Sequence, residues 1–135
     1  MAKSEKTPPL SEAQLEIMNV VWDHREVTVA QVWRELSARR RVARNTIQTM
    51  ITRLEERGWL KHRREGITFW YTATASRKVT LRRMLRRMTE TAFGGSTAGM
   101  VMALLEGQSL SADEAERIQR MIEEVRQNKK RGKKK

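Results

Sequence analysis

Apolar side chains recur along this chain at helical spacing, give way once to strand-like runs, and then return to helical spacing. Ile47, Met50, Ile51 and Leu54 fall at i, i+3, i+4 and i+7, so they share one face of a helix that begins near Arg44. Asn45, Thr49, Thr52 and Glu56 lie opposite, with Gln48 and Arg53 on the flanks. Gly58 supplies the stop, because glycine accepts the left-handed conformation that ends many helices. Trp59 to Arg63 and Ile67 to Ala73 are rich in aromatic and β-branched residues and read as a hairpin, with Arg64-Glu65-Gly66 as its turn.

Two helices with strong start signals precede this segment. Ser11-x-x-Gln14 is a capping box, with Leu10 and Leu15 as its hydrophobic staple. Thr28-x-x-Gln31 repeats the device, with Val27 and Val32 as the staple. The first helix is expected to bury some of Leu15, Ile17, Met18, Val21 and Trp22, and the second Val29, Val32, Trp33 and Leu36. Three helices and a hairpin in about 65 residues suffice for a small closed core.

The order of two helices, a polar-faced helix and a basic hairpin is that of a winged helix-turn-helix, which offers one helix to the DNA major groove and the hairpin to the backbone. Arg44, Asn45, Thr46, Gln48, Thr49 and Arg53 are the candidate recognition residues, since the helix carries no acid before Glu55. Their side chains can hydrogen-bond base edges or phosphates. Lys61, His62, Arg63 and Arg64 can donate to phosphate from the wing. Either feature alone also fits an ordinary solvated surface; their succession favours the DNA-binding reading. Arg39-Arg40-Arg41, in the loop before the recognition helix, suits phosphate contact or simple solvation equally.

Three more helices are expected downstream. The first runs from about Ser76 to Thr91, with Leu81, Met84, Leu85 and Met88 on one face and Arg82, Arg83, Arg86 and Arg87 on the others. Gly94 and Gly95 break it. The second, about Ser96 to Glu106, contains Met100, Val101, Leu104 and Leu105. The third opens at the capping box Ser111-x-x-Glu114 and has an apolar stripe of Ala115, Ile118, Met121, Ile122 and Val125. None is long enough to be stable alone. A second subunit or an intramolecular helical hairpin must cover these faces, and the symmetric second copy is the simpler solution.

Charge sharpens this division. The formal net charge is +12 over 135 residues, which favours a polyanionic partner. Residues 94–127 carry three basic and six acidic side chains and form the only net-acidic segment, a better protein contact than DNA contact. Residues 128–135 carry six basic and no acidic side chains and read as a disordered basic tail, fitting equally an arm that adds non-specific DNA affinity and a solubility tail with no specific partner. The expected organisation is a flexible leader over 1–8, a winged-helix domain over 9–74, a helical dimerisation region over 75–127, and the tail over 128–135.

The quoted segments resemble one family. TIQTMITRLEERGWLKHRREGITFWYT is similar to the DNA-binding half of the penicillinase-repressor family (BlaI/MecI/CopY type), and LSEAQLEIMNVVW to its first helix. The likeness continues through GGSTAGMVMALLEGQSLSADEAERIQRMIEE and covers about 115 of the 135 residues. It implies a mainly α fold with a small β-hairpin wing, and a homodimer that represses transcription from a palindromic operator of TACA/TGTA type. By position, Asn45, Thr46, Gln48 and Thr49 fall where the family reads bases, and Arg63 and Arg64 on its wing. Asn45 stands where some relatives have lysine. The family's induction by a membrane sensor-protease pathway implies a regulatory cut near Ala92-Phe93, where this chain has alanine in place of the family's asparagine. The copper-responsive relatives end in a cysteine-rich hook that this chain lacks.

Catalysis finds almost no support. With no cysteine and only His24 and His62, no cysteine–histidine or zinc-type site can be assembled, and no cofactor or metal is expected. The first eight residues lack the apolar run of a signal peptide, and no stretch approaches ~18 apolar residues, so no membrane insertion is expected and the cytoplasm is the expected location. Two other readings remain open at this point: a non-specific basic nucleic-acid-binding or architectural protein, and an adaptor that uses the winged helix only as scaffold.

Overall fold

The computed structural model describes residues 9–133. Helix α1 (Glu12–His24) starts at the capping box: Gln14 N donates to Ser11 Oγ (3.1 Å), and Ser11 N donates to Gln14 Oε1 (2.9 Å). Strand β1 (Glu26–Val27) follows, then α2 (Val29–Ser37), whose cap Thr28 accepts at Oγ1 from Gln31 N (3.1 Å). Helix α3 (Arg44–Glu56) leads into β2 (Leu60–Glu65) and β3 (Thr68–Ala73), and α4 (Arg77–Phe93), α5 (Thr97–Glu106) and α6 (Ala112–Lys133) complete the chain. The fold is mainly helical with a small antiparallel wing, as the sequence pattern predicts.

The core of the first unit sits where the three apolar helix faces meet. Ile17, Met18 and Val21 of α1, Val32 and Leu36 of α2, and Ile47, Ile51 and Leu54 of α3 are buried, and Leu60 and Tyr71 close it from the hairpin. Leu15, Trp22, Val29, Trp33 and Met50 pack against this cluster while partly exposed.

Helix α3 ends in a Schellman motif. Trp59 N donates to Leu54 O (2.9 Å) and Gly58 N to Glu55 O (3.0 Å), with Gly58 at φ +90°. These two bonds satisfy orphan carbonyls and turn the chain directly into β2.

The sheet differs from expectation in two ways. It has three strands, in the order β1-β3-β2, all antiparallel. The pair Glu26-Val27 is too short to show a period, yet Val27 is fully buried and faces Tyr71 in the register. The hairpin turn is also shorter than Arg64-Glu65-Gly66. Glu65 pairs with Thr68, leaving Gly66 (φ +63°) and Ile67 as a two-residue loop. Glycine at the first loop position fits a type II′ turn, whose twist matches that of the flanking strands, so β2 runs on to Glu65 and β3 starts at Thr68, one residue later than expected.

The first compact unit runs through Arg86 rather than stopping at residue 74. Trp22 Nε1 donates to Ala75 O (3.0 Å), and Arg77 Nη2 donates to Asn19 O (3.1 Å) and to the Asp23 carboxylate. The Arg77 guanidinium also lies 5.6 Å from the Trp22 ring centroid, Thr80 is buried, and Met84 packs on the core. The first turns of α4 therefore belong to the first unit.

The second unit begins at Arg87. Gly94 (φ +55°) and Gly95 (φ +85°) turn the chain after α4, and Ser96 caps α5 by accepting from Gly99 N (2.9 Å). Ser111 caps α6 in the same way, accepting from Glu114 N (3.1 Å). None of residues 87–132 is fully buried. The basic run at 128–133 continues α6 and is not a separate disordered arm. It contains no proline, Lys and Arg are good helix formers, and cations in a last turn complement the helix dipole. Residues 1–8 and 134–135, where the leader and the end of the tail were expected, lie outside the described residues.

Candidate nucleic-acid interface

Helix α3 is held rigidly by its buried face, which frees the opposite face for contact. Arg44, Asn45, Thr46, Gln48, Thr49, Thr52 and Arg53 are all exposed. Thr52 Oγ1 donates to Gln48 O (2.9 Å). The helix begins at Ala43 without a side-chain cap, after a loop pinned by a Trp33 Nε1 bond to Val42 O (2.9 Å). Of the three arginines in that loop, Arg40 is paired with Glu16 (2.9 Å), and Arg39 and Arg41 are exposed.

At about 100° per residue, Arg44 and Gln48 project from one flank of α3, and Thr46 and Arg53 from the other. The first flank shares a groove of about 530 Å³ with the wing. Its walls are Thr28 to Ala30 at the start of α2, Arg44 and Gln48 of α3, and Ile67 to Phe69 and Tyr71 of the hairpin. A side-chain hydrogen bond between His62 Nδ1 and the Glu55 carboxylate joins β2 to α3, and the His62 ring stacks on Phe69 at 4.3 Å and 11°. Helix α3 and the hairpin are thus joined by side chains as well as by the Schellman turn. Burial among apolar neighbours, with the Glu55 charge nearby, raises the Tyr71 hydroxyl above its ordinary pKa, so it stays a neutral donor.

The wing has two faces, and they divide its basic residues. The register sets Lys61 opposite Thr72, Arg63 opposite Trp70 and Glu65 opposite Thr68 on one face, and His62 and Arg64 opposite Tyr71 and Phe69 on the other. Arg64 lies on the groove face: its guanidinium sits 6.0 Å from the Phe69 centroid and its Nε donates to Gly66 O (2.9 Å).

Arg63 is occupied elsewhere. It reaches over Trp70 (5.7 Å) to grip Glu26 of β1 through two bonds (2.6 and 2.8 Å), and it donates to Glu65 (2.8 Å). These bonds lower the Glu26 carboxyl pKa and raise that of the guanidinium. Sequence reasoning grouped Arg63 with Arg64 as phosphate donors; the structure makes Arg63 a clamp across the three strands and leaves Arg64 facing the groove. Strand alternation was the available signal, since consecutive residues of a strand point to opposite faces. Ile67 and the Thr28 to Ala30 wall had no such signal, because only the folded arrangement brings them beside Gln48.

The expected dimerisation residues fall into two groups. Met100 and Ile118 are half-buried within their own unit, and Thr89 Oγ1 lies 3.0 Å from Met100 Sδ. Val101, Leu104, Leu105, Met121, Ile122 and Val125 are exposed, with Leu104 at 56% and Val125 at 65%. Ala92 is exposed and Phe93 half-buried in the last turn of α4. Among the described residues, no cluster of three or more histidines, cysteines or carboxylates stands ready for a metal, and no helix is long and apolar enough to cross a membrane.

Comparison with known proteins agrees with this geometry. The profile of the family described as "Penicillinase repressor" matches residues 10–124. The penicillinase repressor of Bacillus licheniformis is 32% identical over 126 residues, covering 93% of this chain and 98% of that protein. The methicillin resistance regulatory protein MecI of Mammaliicoccus sciuri is 24% identical over 117 residues, covering 87% and 95%. Among solved structures, wild-type MarR from E. coli superposes with a TM-score of 0.52 at 15% identity over 86% of this chain and 77% of that one, a likeness of fold.

Proposed function

Because this chain belongs to the penicillinase-repressor family, we propose that it is a sequence-specific DNA-binding repressor that grips a palindromic operator as a homodimer. It is a transcriptional regulator rather than an enzyme. The observation that carries the docking mode is the acid-free exposed face of α3 from Arg44 to Arg53, which forms one groove with the wing. In this reading α3 enters the major groove. Gln48 pairs with adenine, Asn45, Thr46 and Thr49 reach neighbouring base edges, and Arg44 and Arg53 hold the flanking phosphates. Arg64 donates to the backbone from the wing, with Lys61 on its other face.

The second unit supports the homodimer. Helices with no fully buried side chain and with Leu104, Ile122 and Val125 more than half exposed gain most of their stability from a partner. A second copy supplies identical apolar faces, and linking two DNA-binding heads raises the effective concentration of the second on the operator. Regulation by a membrane sensor-protease pathway would act at Ala92-Phe93, where a cut separates the heads from the region that links them.

The test is selection of a duplex from a randomised pool by the full chain, followed by binding isotherms on the selected and scrambled duplexes at two salt concentrations. A selected duplex with two inverted half-sites and a specific-to-scrambled ratio of about 10³ or more is expected. Gln48→Ala should remove about 1–3 kcal/mol of discrimination at one base pair in each half-site. Equal affinity for both duplexes would replace this reading with a non-specific architectural protein.

A further inference from the structure

The wing ends in a side chain that the fold does not use. Ile67 is 94% exposed, whereas the next most exposed large apolar residue among the described residues, Val125, is at 65%. Folding therefore gains almost nothing from an isoleucine here, and a type II′ loop is served as well by a polar residue at this position. The side chain carries no charge and no donor, so it gains nothing from a phosphate.

Its surroundings point to DNA. Ile67, Thr68 and Phe69 line the same groove as Arg44 and Gln48, so the tip lies on the recognition side of the molecule. Arg64 flanks it, held by Gly66 O and stacked on Phe69. The tip thus offers an apolar group next to a cation. A minor groove has this composition reversed: walls of deoxyribose carbon bordered by phosphates. It is about 6 Å wide, adjoins the major groove that α3 would fill, and receives isoleucine in other DNA-binding proteins.

We infer that Ile67 inserts into the operator minor groove beside each half-site and packs on the deoxyribose edges, while Arg64 takes the bordering phosphate. The inference rests on the docking of α3 proposed above. Ile67 then supplies affinity without reading a base and without releasing a counterion.

The experiment uses the full chain, the duplex it selects, and the variants Ile67→Ala, Ile67→Ser and Arg64→Ala. Hydroxyl-radical cleavage reports access to deoxyribose hydrogens in the minor groove. Ile67→Ala and Ile67→Ser should weaken binding about tenfold or more, the equivalent of burying part of an aliphatic side chain. They should leave the log–log salt slope and the selected sequence unchanged and lose protection in the minor groove beside the half-site, with protection around α3 kept. Arg64→Ala should instead flatten the slope. Melting midpoints of the Ile67 variants should match the parent, since the side chain contacts solvent. Parent-like affinity and protection in Ile67→Ala would overturn the insertion while leaving the repressor reading intact. A parent chain that selects no sequence would overturn both.

Discussion

Replacing Gly58 by alanine tests how the recognition helix is joined to the wing. Gly58 sits at φ +90° in the Schellman motif, and a Cβ built on it meets nothing within 4 Å. The penalty is therefore one of backbone conformation and not of steric contact. An L-residue held left-handed costs roughly 1–2 kcal/mol. The stiffer unfolded chain returns about 0.4–1 kcal/mol of that. The net loss should be near ~1 kcal/mol, lowering the melting midpoint of a unit of this size by about 4–8 °C. Gly58→Asn should lose less, because asparagine tolerates this region better than alanine. The assay is thermal and urea unfolding of the full chain, followed by circular dichroism and by tryptophan fluorescence. An unchanged or raised midpoint for Gly58→Ala would refute the argument. It would mean that the Trp59-to-Leu54 and Gly58-to-Glu55 bonds do not hold the backbone at this angle.

Other perturbations reach the remaining parts. Leu104→Asp with Ile122→Asp should turn a dimer into a monomer and weaken operator binding at least tenfold, read by sedimentation equilibrium and by isotherms; a doubly substituted dimer would relocate the interface. Glu26→Gln should destabilise the sheet at neutral pH and converge with the parent in acid. The Glu26 carboxyl titrates below its unfolded value because Arg63 bonds it, so its contribution is present above the unfolded pKa and lost as pH falls through the folded one; melting midpoints from neutral to strongly acidic pH would show the gap close. Deleting residues 129–135, which carry six positive charges, should flatten the salt dependence for every duplex and leave the specific-to-scrambled ratio nearly unchanged; a large fall in that ratio would show that this end of α6 reads sequence or groove shape.

The division between sequence and structure follows the range of the forces involved. Helix positions were legible because caps and periodicity are local: Ser11 with Gln14, Thr28 with Gln31, Gly58 after α3, and the i, i+3, i+4 faces all act within one or two turns. The polar face of α3 was legible for the same reason, since burial of Ile47, Ile51 and Leu54 forces Asn45 and Thr49 outward. Strand pairing and ion pairs are long-range, and these only the tertiary structure decided. Nothing near Glu26 in the chain announces that Arg63, 37 residues away, will bind it. That pairing commits the Arg63 guanidinium to the sheet. Likewise, Trp22 and Arg77 show their partnership only when α1 and α4 pack together, and this carries the winged-helix unit on to Arg86. The exposed Ile67 is the same lesson at the surface. A sequence shows an apolar residue in a turn, but only the fold shows that it is left to solvent and stands beside the recognition helix.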